Sequence, residues 1–255
     1  MLLTIDVGNT NTMLGLYADA SLGPHWRLAT EHERMPDEYA MQLISLLTYV
    51  GVDVGEIHGV ALASGVPVLT TRWVEVCRRY LKTEPLVIHG RMKTGLTILY
   101  DNPDAVGADR VVDAVAAYTF YGGPLCIVDF GTATTFEAVT AAGEYLGGAI
   151  APGIGIAAEA LARRAAKLPA IDIDMPPSPI GRNTVHSMQS GLFWGYVGLV
   201  EGMVARFKAE LGAETKVIGT GGLAPLIARG TTVLDEIAPW LTLDGLRILY
   251  ELNEE

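Results

Sequence analysis

Short apolar runs with period-two spacing alternate along this chain with longer stretches whose apolar residues recur at helical spacing, the pattern of strands interleaved with helices. Leu2, Leu3, Ile5 and Val7 form one run, and after a polar turn Met13, Leu14, Leu16 and Tyr17 form a second, which predicts a hairpin. "DEYAMQLISLLTYVG" predicts a helix that stops at Gly51. "GVALAS" predicts a buried strand, "TTRWVEVCRRYL" a helix and "PLVIHG" another strand. "GADRVVDAVAAYTFYGG" places Val111, Val112, Val115 and Ala116 on one helical face and ends on Gly122 and Gly123, a helix with a stop signal.

From Pro124 the pattern starts again. "PLCIVDFGTATTFEAVT" repeats the opening: an apolar run into an acid, a glycine, small hydroxyl residues, then a second apolar run. Asp129 thus stands where Asp6 stood, roughly half a chain later. "GGAIAPGIGIAAEALA" predicts a loop entering a helix, "SMQSGLFWGYVGLVEGMV" a long packing helix, and "TKVIGTGG" followed by "LAPLIARG" strand, turn and helix. The expectation is a duplicated α/β fold with two lobes, 1–122 and 123–255, divided where glycine and proline interrupt the pattern near Gly122 to Pro124.

With 255 residues, half of them hydrophobic and 18% charged, the chain has ample material for a core. A net charge of −11 opposes loose binding to nucleic acid or anionic membrane. The first run meets Asp6 too early for a signal-peptide core or a span, so no targeting segment or membrane partner is expected. A strand starting at residue 2 also argues against an N-terminal helix-turn-helix. Cys77 and Cys126 lie far apart in apolar or mixed surroundings, as reduced packing thiols of a cytoplasmic protein do. His25, His32, His58, His89 and His186 show none of the spacings of zinc sites, and no structural metal is expected.

The two polar turns change this bland picture. A turn of Gly, Thr and Asn can aim backbone N–H groups and hydroxyls at phosphate oxygens, and a carboxylate beside it suits a divalent ion that bridges to phosphate. Small residues also serve merely to close hairpins, with Asp and Asn meeting turn geometry. Two such turns, one opening each half, together with "GTGG", favour polyphosphate binding. Neither a "GxxxxGK[ST]" loop nor a "GxGxxG" entering the first helix is present, so a P-loop or dinucleotide fold is disfavoured. "YDNPDAVGADR" then gathers Asp101, Asp104 and Asp109 with Arg110 at the start of the strong helix. Asp109 has two readings there: a helix cap, or the proton acceptor of a phosphotransferase whose anionic acceptor Arg110 helps hold.

"DVGNTNT", "YDNPDAVGADR", "DFGTATTFEAV", "YLGGAIAPGI", "GRNTVHSMQSG", "GTGGLA" and "LTLDGLRILYELN", in this order, resemble the type III pantothenate kinases over nearly the whole chain. The resemblance implies an actin-like ATPase fold, two ribonuclease-H-like lobes with mixed sheets, and ATP-dependent phosphorylation of pantothenate, the first step toward coenzyme A. It implies that Asp6, Val7, Gly8, Asn9, Thr10, Asn11, Thr12 and Met13 form the first phosphate turn, with Asp6 organising Mg²⁺ through water and Thr132 a further nucleotide contact. It makes Asp109 the proton acceptor, with Tyr100, Gly107, Ala108, Arg110 and Thr184 on the substrate, Thr184 reaching across a homodimer. Asp129 becomes a ligand of K⁺ or NH₄⁺. Gly219 departs from the alanine such proteins often carry, and "SLGPHWRLATEHERM" matches only loosely. Two other functions fit the same turns: a different phosphotransferase or polyphosphate hydrolase on this fold, and a non-catalytic nucleotide-binding regulator.

Overall fold

The opening hairpin consists of β1 (Leu2–Val7) and β2 (Asn11–Ala18), antiparallel, with Asp6 opposite Met13 and Val7 opposite Thr12. The computed structural model describes residues 1–254. After the hairpin come β3 (Ser21–Ala29), α1 (Pro36–Tyr49), β4 (Gly59–Ser64), α2 (Pro67–Val76), β5 (Leu86–Val87), β6 (Thr97–Ile98) and α3 (Ala108–Tyr121). Next are β7 (Leu125–Phe130), β8 (Ala133–Val139), β9 (Glu144–Pro152), α4 (Ile154–Arg164) and α5 (Thr184–Leu211). The chain finishes with β10 (Lys216–Thr220), α6 (Ala224–Ile227), β11 (Glu236–Ile237) and α7 (Leu241–Asn253).

Two compact units result, one of Met1–Ala116 with the residues from Leu241 on, the other of Ala117–Trp240. In the first, the strands run in the order β3-β2-β1-β4-β5, with β4 parallel to β1. Period-two alternation sends Leu3, Ile5 and Val7 into a core shared with Tyr39, Leu43 and Leu47 of α1 and Leu69 and Trp73 of α2. Thr4 and Asp6 therefore face the other side, where α7 lies: Tyr17 donates its hydroxyl to Asp244 at 2.7 Å. In the second unit the run is β9-β8-β7-β10-β11, again an antiparallel meander with a parallel strand beside its first member. Cys126, Val128, Phe130 and Phe136 pack on Phe193, Val197, Val200 and Val204 of α5. Asp129, between two of these inward residues, faces the opposite side as Asp6 does.

Two expectations are corrected, and one segment left without a reading is placed. The division between units falls within α3, not at Gly122 to Pro124, and α7 belongs to the first unit because its apolar face covers the side of that sheet that α1 and α2 leave open. "GGAIAP" is not loop but the second half of β9, paired with β8 from Ala133 opposite Pro152 to Ala138 opposite Gly147. Its glycines permit close strand approach: a Cβ at Gly148 would collide with the Phe136 carbonyl. "SLGPHWRLA" is β3, an edge strand interrupted by Pro24.

Among the described residues no helix is long and apolar enough to cross a membrane. Both cysteines are unpaired and fully buried. Burial pushes each thiol up to about 12, so the thiolate is scarce at neutral pH. The folded protein at pH 8 should therefore react with a chromogenic disulfide reagent at neither thiol, and at both after denaturation; fast native labelling would contradict the packing described.

Candidate active site

In the first unit, the β1–β2 turn is closed by Gly8, whose N–H donates to the Asn11 carbonyl at 3.0 Å. A residue that no sequence signal marked, Thr30, braces it. The Thr30 hydroxyl donates to the Gly8 carbonyl at 2.8 Å, its N–H donates to the Thr10 carbonyl at 2.9 Å, and its oxygen lies 2.9 Å from that of Thr12. His32 donates from Nε2 to the Asn9 carbonyl at 3.2 Å. Arg72 of α2 holds the same connection by donating to the carbonyls of His32 and Arg34 at 2.6 and 2.9 Å. Val7 and Thr12 are buried, Asp6, Gly8 and Met13 half-buried, and Asn9, Thr10 and Asn11 exposed at the tip. The Val7 side chain belongs to the core and the Gly8 amide to the turn itself, which leaves the tip residues and Asp6 as the groups that can meet a ligand.

Asp109 is the second residue of α3 and is exposed. Its Oδ1 accepts the Arg110 N–H at 2.9 Å, so the carboxylate does engage the helix start, as the capping reading expects. Oδ2 makes no hydrogen bond to the described residues. Gly107 lies close beside it: a Cβ there would meet Oδ1 and shift the carboxylate. Arg110 is 8% exposed, and its guanidinium lies over the Tyr100 ring at 5.9 Å. Asp104 leaves the expected acid cluster: Arg91 binds it at 2.7 Å from Nε to Oδ1 and 2.6 Å from a terminal nitrogen to Oδ2. That hydrogen-bonded guanidinium holds the Asp104 carboxyl below the usual range. Asp109 thus stands apart from the Asp104 ion pair, with one oxygen presented outward.

In the second unit, Asp129 sits near the end of β7 opposite Thr135 on one side and Thr220 on the other. Glycines press on its carboxylate. A Cβ at Gly131 would lie 2.9 Å from Oδ2, and one at Gly221, whose φ is +86°, would collide with Oδ1. The "GTGG" turn therefore serves Asp129 directly, a role the sequence reading had not given it. Gly153 in turn packs on the carbonyls of Gly131 and Thr132, and Thr132 is exposed. Thr184 opens α5, next to Asn183, whose side-chain oxygen accepts the His186 N–H at 2.8 Å. Thr184 is exposed in a cavity of about 1100 Å³ lined also by Leu161, Arg164, Arg182, Met188 and Tyr196.

Carboxylates at strand ends suit hard cations that take their remaining ligands from water, carbonyls or phosphate. No group of three or more His, Cys, Asp or Glu side chains able to hold a metal occurs among the described residues.

The solved structures this chain is similar to include a conserved putative Baf family transcriptional activator from Campylobacter jejuni. That likeness has a TM-score of 0.63 at 17% identity and covers 99% of this chain and 98% of the other. Another is a putative 2-dehydro-3-deoxygalactonokinase from Sinorhizobium meliloti, with TM-score 0.59, 12% identity and coverage of 99% and 97%. At such identities they establish the fold: an actin-like α/β fold with mixed sheets, as the family resemblance implied.

The family model for type III pantothenate kinase matches residues 2–206. The chain is 52% identical over 253 residues to a type III pantothenate kinase of Roseiflexus sp. (strain RS-1), covering 99% of each. It is 53% identical over 253 residues to that of Moorella thermoacetica, covering 99% of this chain and all of the relative. The chain belongs to the type III pantothenate kinase family and is a kinase.

Proposed function

We propose the following division of labour for the reaction that family membership carries, phosphorylation of pantothenate by ATP at the entry to coenzyme A synthesis. Asp109 accepts the proton of the pantothenate hydroxyl as the γ-phosphoryl group transfers in line. The observation that carries this is its geometry: an exposed carboxylate at a helix start, with one oxygen accepting the Arg110 amide and the other in no hydrogen bond to the described residues. Arg110, buried except for its edge and seated on Tyr100, supplies fixed positive charge for the acceptor's anionic end. Gly107 and Ala108 complete that loop. Asn9, Thr10 and Asn11 at the braced turn tip hold phosphate, and Thr132 is a nucleotide contact of its own; Val7, Gly8, Thr12 and Met13 contribute backbone shape.

Asp6 fits Mg²⁺ held through water, and Asp129, with glycines on both sides of its carboxylate, fits K⁺ or NH₄⁺. When bound, such cations neutralise phosphate charge. The enzyme works as a cytoplasmic homodimer in this reading. Support for the dimer is the apolar surface of Ile156, Leu161, Ile180 and Val185, between 39% and 79% exposed, in the region of the Thr184 cavity. Support for the compartment is the pair of unpaired thiols.

Asp109→Asn keeps shape and removes the base, which should lower kcat by about 10²–10⁴, equivalent to roughly 3–5 kcal/mol of barrier. Near-normal turnover of that variant in an assay with ATP, pantothenate and Mg²⁺ would refute the role. Activity of the unaltered enzyme should rise with added K⁺, and Asp129→Ala should lose that response; a variant still as dependent on K⁺ would contradict the cation assignment.

A further inference from the structure

The motif "LTLDGLRILYELN" has so far only served to cover a sheet. Its helix, α7, does something more specific within the first unit. The Thr242 hydroxyl donates to Asp113 Oδ1 at 2.7 Å. Asp113 lies on α3 four residues after Asp109, on the same helical face one turn further in, and is only 4% exposed. Two turns of helix are thus locked at contact distance: a Cβ at Gly245 would collide with the Val112 carbonyl, so nothing larger than glycine allows α7 to approach α3 as it does.

The next residues of α7 grip the hairpin. Asp244 accepts the Tyr17 hydroxyl at 2.7 Å. The Arg247 guanidinium lies over the Tyr17 ring at 5.7 Å and is held by Glu251 at 2.8 Å. Leu243 abuts Gly15, where a Cβ would come within 3.0 Å of its Cδ1. Tyr17 and Gly15 belong to β2, the strand that leads out of the Gly8–Thr10 turn. One helix therefore bears at one end on the element that carries Asp109 and along its length on the strands that carry the phosphate turn.

We infer that Thr242 is a positioning residue for phosphoryl transfer: through Asp113 it sets the rotation and height of the first turn of α3, and so places the Asp109 carboxylate relative to the β1–β2 turn. Thr242 touches no reacting atom in this arrangement. The inference rests on the assignment of Asp109 as proton acceptor. Its physical basis is that small misplacements of a catalytic group, produced far from the chemistry, cost rate and not binding.

The test compares Thr242→Val, which keeps the shape and deletes the donor, with Thr242→Ser, which keeps the donor, each alone and combined with Asp109→Asn. Thr242→Val should lower kcat by about tenfold with both KM values within about twofold of the original, and should raise the share of ATP lost to water relative to pantothenate phosphorylated. Thr242→Ser should stay within about twofold in kcat, and Thr242→Val should cost nothing further once Asp109 is Asn. A merely structural loss would instead reduce hydrolysis and transfer together. Thr242→Ala, read the same way, replaces the valine variant if that one proves insoluble. Unchanged kcat in Thr242→Val beside an impaired Asp109→Asn overturns this inference alone, as does a full additional loss in the double variant. Normal kcat in Asp109→Asn removes the underlying assignment and the inference with it.

Discussion

A carboxylate pressed against glycine is the contact on which the site's construction depends. Asp109 has Gly107 against its Oδ1, and Asp129 has Gly131 and Gly221 against its two oxygens. In each case a methyl group added at the glycine would meet the carboxylate, so the acid's present position depends on the missing side chain beside it.

The two units reach that arrangement by the same route. Each builds an antiparallel meander and adds a parallel strand beside the first member, β4 next to β1 and β10 next to β7. Alternation buries Leu3, Ile5 and Val7 in one and Cys126, Val128 and Phe130 in the other, which turns Asp6 and Asp129 to the far face at the ends of their strands. Where the units differ is in what completes them. The first recruits α7 from the far end of the chain, so that residues 2 and 249 share one fold; the second uses the 28-residue α5.

Much of this was legible in residue order. The two hairpins announced themselves because each is a pair of apolar runs separated by a short polar turn that carries glycine. The helix α3 showed both its apolar face and its glycine stop. Asp109 was correctly placed at a helix start. What stayed hidden has physical reasons. The second half of β9 is made of Gly, Ala and Pro, which read as loop, because its glycines answer to the neighbouring strand's carbonyls, a contact no local pattern encodes. β3 is an edge strand, largely exposed, so its hydrophobic alternation is faint. The division between units was misplaced because the glycine and proline near Gly122 to Pro124 mark the end of α3, while the return of α7 to the first unit is a long-range contact that no local pattern encodes. Thr30 carries no motif at all; its three contacts to the first turn arise only when β3 folds back alongside β2.

The proposal that Asp109, placed beside Gly107, accepts the proton is tested most directly at Gly107, by rapid-quench single-turnover measurement of phosphoryl transfer in Gly107→Ala with ATP and pantothenate both saturating. The added methyl must displace the Asp109 carboxylate, so the account predicts a chemical step slowed by about tenfold or more with nucleotide binding unaltered. Transfer at the original rate would contradict it.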